Sequence, residues 1–191
     1  MKRAHQFLID LARFLPAATA AQLLRHYFAG NVEALRNALR AAQAKGFIEV
    51  STELVRPWQH SGTALAIFQA GDPALSAGQI AYQASQRWSG EMVPSIIIRA
   101  TAQLTALHGG KVRAIASGHL SHEIALAEVF LAAKRQSDPD FEWSLVHARP
   151  GTGALPDAVC ATGAIEIVGR YSGASVAAKL VLAGSMNLEL W

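Results

Sequence analysis

A chain of 191 residues that is 51% hydrophobic and 16% charged has enough apolar content for one ordinary core or two small ones, and disorder is excluded. Its single cysteine, Cys160, excludes an internal disulfide and a multi-cysteine zinc site. No run reaches the ~18 to 20 apolar residues that cross a bilayer, and the basic start is broken at Asp10 and Arg13, too early for a secretory signal; a cytoplasmic protein with no membrane partner is expected.

The formal net charge of +3 is unevenly spread: residues 1–75 carry eight Lys or Arg against five Asp or Glu, and residues 76–191 carry nine against nine. Phe7, Leu8, Leu11 and Phe14 recur at helical spacing, which predicts a first helix over 5–14, ended by Pro16. Thr19 caps a second helix over 20–28, and Gly30-Asn31 turns the chain. A third helix spans 32–45, with Leu35, Ala38, Leu39 and Ala42 inward and Gly46 as its C-cap. Residues 47–50 alternate as a strand, and 63–68 offer a second one after the segment 57–62. Three helices closed by a hairpin make a winged helix-turn-helix over 1–73, bounded by Gly71-Asp72-Pro73. In that motif the third helix enters the major groove. Arg36, Asn37 and Arg40 lie opposite Leu35 and Leu39, while Arg25 and Lys45 are placed as backbone contacts. The competing reading is a solvated helix on which Arg36 pairs with Glu33.

Residues 74–88 and 95–108 read as two helices, forming a helical linker over 74–110 in which Trp88 is core or interface. A short strand is expected over 111–117, then an apolar helix over 119–135. His119, His122 and Glu123 are neighbours one turn apart on that helix, and Glu128 points the other way. His-Leu-Ser-His-Glu lacks zinc-protease spacing, so the histidines read as surface or helix-end residues. A turn at Asp138-Pro139-Asp140, a strand over 141–147 and a loop over 150–153 follow. Asp157 then begins a strand, Ala161-Thr162-Gly163 bends the chain, and residues 164–168 form the next strand. A helix over 174–183 and a strand over 188–191 complete the pattern. The order helix, strand, strand, strand, helix, strand over 111–191 is the core of a restriction-endonuclease-like αβ domain, and the fold class is α+β.

A carboxylate inside an apolar strand costs free energy unless it is paired, exposed or metal-bound, and Glu166 lies in such a run. Asp157 and Glu166 on neighbouring strands have the arrangement by which PD-(D/E)xK nucleases hold a divalent metal. The pattern asks for a Lys two residues after the second acid, where this chain has Val168. Arg170 and Lys179 are the nearby cations that could substitute. The catalytic set, if the domain is active, is Glu123, Asp157, Glu166 and Lys179, with Asp157 and Glu166 as metal ligands.

The chain resembles the replication-relaxation proteins of bacteria and mobile elements. The resemblance rests on Gln22-Leu23 through His26-Tyr27-Phe28 and residues 39–50, then His119-Leu120, Leu155-Pro156-Asp157-Ala158, Ile165-Glu166, residues 169–172 and Glu189-Leu190-Trp191. It implies DNA-linked work in plasmid replication or transfer, with double-stranded DNA and replication or transfer proteins as partners and a homodimer as the form. The leading expectation is a DNA-binding accessory protein with a degenerate nuclease-like domain and no cofactor. Its alternatives are a metal-dependent DNA endonuclease using magnesium, and a protein-docking adaptor.

Overall fold

The computed structural model describes residues 2–58, 63–69, 76–112, 114–115, 118–136, 142–146, 155–182 and 187–191. The chain is mixed α+β, and its described residues form seven helices and two sheets. Two compact units are built from interleaved pieces: Met1–Arg56 with Met92–Leu131, and Pro57–Glu91 with Ala132–Trp191. A division at residue 73 was expected instead, and the Gly71-Asp72-Pro73 boundary itself lies outside the described residues.

In the first unit, α1 (Lys2–Arg13) buries Phe7 and Leu11, a side-chain burial that contributes about 1.5–3 kcal/mol each. The two-residue strand β1 (Ala18–Thr19) leads into α2 (Ala20–Tyr27). Thr19 and Gln22 form a capping box: the Thr19 hydroxyl accepts from Gln22 N–H at 3.1 Å, and Gln22 Oε1 accepts from Thr19 N–H at 2.9 Å. Ala29 and Gly30 turn the chain with φ of +48° and +82°, and Asn31 caps α3 (Val32–Ala44) by accepting from Ala34 N–H. Gly46, at φ +67°, ends that helix in the left-handed conformation glycine adopts without a Cβ penalty.

The strand after α3 is longer than the sequence suggested, β2 (Ile48–Val55), and its partner is different. Residues 63–68 do not pair with it. β2 pairs antiparallel with β4 (Val93–Ala100) in the register Ile48↔Ala100 to Val55↔Val93, and β4 also pairs with β1. The predicted helix over 95–108 is thus a strand followed by the short helix α5 (Ala102–Leu107), capped by Thr101. Ile96, Ile97 and Ile98 are β-branched and follow Pro94, features that favour strand over helix. No described residue between 111 and 117 is in a strand. α6 (Leu120–Gln136) matches its expected span closely.

The second unit holds a five-stranded sheet in the order β3-β8-β7-β6-β5. Its strands are β3 (Ala66–Phe68), β5 (Trp143–Leu145), β6 (Ala158–Cys160), β7 (Gly163–Glu166) and β8 (Leu188–Leu190). All neighbours are antiparallel except β7 and β8, which run parallel. The former wing candidate is therefore an edge strand of this sheet, paired with β8. Helices α4 (Ala77–Arg87) and α7 (Gly173–Leu182) bury Ile80, Ala84, Val176 and Leu180 with Ala164, Val168, Leu188 and Leu190 of the sheet layer. Trp88 is core, and its indole N–H donates to Val168 O at 2.9 Å. The turn at 138–140 and the loop at 150–153 lie outside the described residues.

Candidate functional site

In the first unit, the side of α3 away from buried Leu35 and Ala42 exposes Arg36, Asn37 and Arg40, and Lys45 is exposed just beyond the helix end. Arg36 donates to Glu33 at 2.6 Å, one turn away, and both side chains are more than half exposed. Such a surface pair is worth ~0.2–1 kcal/mol, so a competing anion can displace it. Lys45 Nζ lies 6.0 Å from the centre of the Phe47 ring. Arg25 extends from α2 toward Glu128 of α6, at 3.5 Å. By sequence this unit has eleven Lys and Arg against six Asp and Glu, and the other has six against eight, so the positive excess is confined to the first.

Glu128 ties α2 to α6. It is buried on α6 and accepts from Gln22 Nε2 at 3.1 Å, while His26 Nε2 lies 3.1 Å from its other oxygen. Gln22 Nε2 also donates to Ile124 O at 2.8 Å, so one side chain of α2 both caps its own helix and grips α6. Burial alone would push the Glu128 carboxyl up, but the His26 contact, the Arg25 charge and the Gln22 hydrogen bond outweigh it and hold it below the usual carboxylate range. In sequence Glu128 stood out only as facing away from His119, His122 and Glu123, with no role assigned. An acid inside the apolar helix 120–136 carries the same signal that singled out Glu166. Glu123 lies in this unit too, 3% exposed, with His122 Nδ1 at 3.9 Å from its carboxylate.

In the second unit the structure brings Asp157, Glu166 and Lys179 together with Tyr171, a residue not singled out in the sequence. β6 begins at Ala158, and Asp157 just before it is a bend whose N–H donates to Ile165 O at 2.9 Å, so that the chain leaves the regular ladder beside Glu166. Ile167 N–H donates to Asp157 Oδ2 at 2.8 Å. Glu166 is 1% exposed on β7, the middle strand of the sheet rather than an edge. Lys179 Nζ reaches from α7 to within 2.7 Å of Glu166 Oε1 and also donates to Leu155 O at 3.2 Å. The Tyr171 hydroxyl donates to the same Glu166 oxygen at 3.5 Å. Burial first, and then the charges of Glu166 and Asp157, push the Tyr171 hydroxyl well above its ordinary value of 10.0, so it remains a donor. Arg170 is exposed, and Val168 is buried in the core. A Lys at position 168 would enter that apolar layer, whereas Lys179 approaches Glu166 from the helix that covers it.

Among the described residues, no three His, Cys, Asp or Glu side chains gather as a metal-holding group, and no helix is long and apolar enough to cross a membrane. Comparison of the chain with family models, with curated proteins and with solved structures returned no match.

Proposed function

We propose that the chain is a DNA-binding accessory protein of the replication-relaxation kind, whose first unit is a winged helix and whose second is a nuclease-like fold that does not cleave. The observation that carries the reading is the row of exposed Arg36, Asn37, Arg40 and Lys45 on and just after α3, in the unit that holds the positive excess. Helices α2 and α3 joined by a tight turn, with the β2–β4 ribbon following, have the element order of that motif; the ribbon differs from a simple wing in carrying residues 56–92 between its strands. Arginines there reach guanine edges or phosphate, and Lys45 and Arg25 reach phosphate. A role in plasmid or mobile-element replication or transfer, with double-stranded DNA as partner, follows from the resemblance carried by residues 22–28, 39–50, 119–120, 155–158, 165–166, 169–172 and 189–191.

Duplex binding by fluorescence anisotropy tests this. Affinity should fall steeply with salt as counterions are released. Arg36→Ala with Arg40→Ala should weaken binding by about 1–3 kcal/mol per lost base-edge pair, and less if only phosphate is touched. Unchanged binding by the double variant sinks the assignment of α3.

One observation favours a second reading, a metal-dependent endonuclease: Lys179 meets Glu166 although the usual Lys position is Val168. That reading requires nicking of supercoiled plasmid in magnesium or manganese, abolished by Asp157→Ala.

A further inference from the structure

The Asp157 carboxylate accepts from the N–H of Ile167, the residue after Glu166, and the charges of both acids act on the one Tyr171 hydroxyl, a proximity in which like charges repel. Glu166 is also withdrawn from water, which costs several kcal/mol for an ion without a partner. A nuclease-like fold meets both costs with a divalent cation. Magnesium demands near-octahedral oxygen coordination at about 2.0–2.1 Å and keeps several of its waters. The residues here do not fit it. Glu166 is 1% exposed, its Oε1 is held by the Lys179 ammonium at 2.7 Å, and Asp157 Oδ2 is engaged by the Ile167 N–H at 2.8 Å. Tyr171 adds a hydroxyl to the oxygen that Lys179 already holds.

We propose that the Lys179 ammonium takes the place of the divalent cation that the Asp157–Glu166 pair would otherwise require, so that the second unit carries a built-in cation and has no magnesium site. Lys179 then braces α7 against β7 through Glu166, and against Leu155 just before β6 through its second hydrogen bond. Its charge balances one carboxylate of the pair, and the backbone N–H of Ile167 steadies the other. This rests on reading the second unit as a nuclease-like fold that does not cleave, and it supplies the physical reason.

The test uses the full chain without DNA. Manganese is titrated against the protein and followed by the electron paramagnetic resonance signal of the free ion, alongside thermal melts in chelator and in millimolar magnesium. The wild type is expected to show no saturable site and the same Tm in both buffers, whereas a well-filled site would raise Tm by ~5 to 10 °C. Lys179→Met should lower Tm, gain one saturable manganese site and recover part of the lost Tm with the metal. Adding Asp157→Asn to that variant should remove the site again. Saturable manganese binding by the wild type that Asp157→Asn abolishes overturns the inference, and this arm holds even where Lys179→Met fails to fold. A folded Lys179→Met chain that gains no site also overturns it. Plasmid incubated with the same wild-type protein separates the two readings. Binding of metal without nicking removes the inference and leaves the non-cleaving reading standing, whereas metal-dependent nicking removes both.

Discussion

Replacing Glu128 should loosen α2 from α6. The carboxylate receives Gln22 Nε2 and faces His26 Nε2, both at 3.1 Å, with the His26 and Glu128 side chains 6% and 11% exposed. Removing one partner of a buried charged pair costs about 3–5 kcal/mol. The lower end applies here, because Gln22 keeps its bond to Ile124 O and Arg25 is half in water, where its pairing counts for under ~1 kcal/mol. Glu128→Ala should therefore cost about 3 kcal/mol, a fall in Tm of ~6 to 12 °C for a chain of this size. Glu128→Gln keeps the shape and an acceptor and should cost about 1–2 kcal/mol. The pH dependence has a definite sign. A carboxyl held below its ordinary 4.5 in the folded state stabilises the fold above that pH, and the contribution is lost as pH falls through the folded value. The gap between parent and Glu128→Gln should be full at pH 7 and close below about 4.5. Urea melts across pH, with a double-mutant cycle against His26→Ala, measure both. A Glu128→Ala chain melting within ~2 °C of the parent, or a coupling to His26 under ~0.5 kcal/mol, would refute the clamp.

Gly110→Ala should destabilise the first unit severely, because a Cβ there would fall 1.8 Å from the Ala12 carbonyl oxygen; a parent-like Tm would refute the close approach of residue 110 to α1. The Glu53 carboxyl on the β2–β4 ribbon, held by Arg99 and then Ser51, should titrate near 2 by NMR, and Arg99→Ala should return it toward 4.5; a parent midpoint already near 4.5 would remove that pair. The proposed DNA-binding role carries the expectation of a homodimer, since one winged helix would offer few contacts, and light scattering at the 20.3 kDa monomer mass with micromolar protein would end that expectation.

Much of the element order was legible from residue types, since caps and periodicity are local. Thr19 with Gln22, Asn31 and Gly46 bound α2 and α3 within a residue or two of their expected ends, and residues 120–136, 173–182 and 188–190 took the forms their patterns implied. Short-range signals misled where two propensities competed. Alanines and leucines spaced along 95–108 suggested a helix, yet Ile96–Ile98 joined a sheet because β1 and β2 stood on either side to pair with them. The acids at 157 and 166 stood out for a reason that holds in any fold, the cost of charge in an apolar strand.

Partner choice was not legible. β2 passes over the nearby strand at 66–68 and pairs with residues 93–100, which local spacing cannot forecast because loop-closure entropy rises only logarithmically with the length of the intervening chain. The same freedom let residues 57–91 contribute β3 and α4 to the second unit. In sequence, both Arg170 and Lys179 could serve as the cation beside Glu166, and Lys179 was the one placed in the catalytic set. Tertiary structure selected Lys179, because α7 covers the face of β7 that carries Glu166 while Arg170 stays in water. Residue chemistry required that Glu166 be paired, exposed or metal-bound, and only the packing of a helix over its strand decided that it is buried and paired with Lys179.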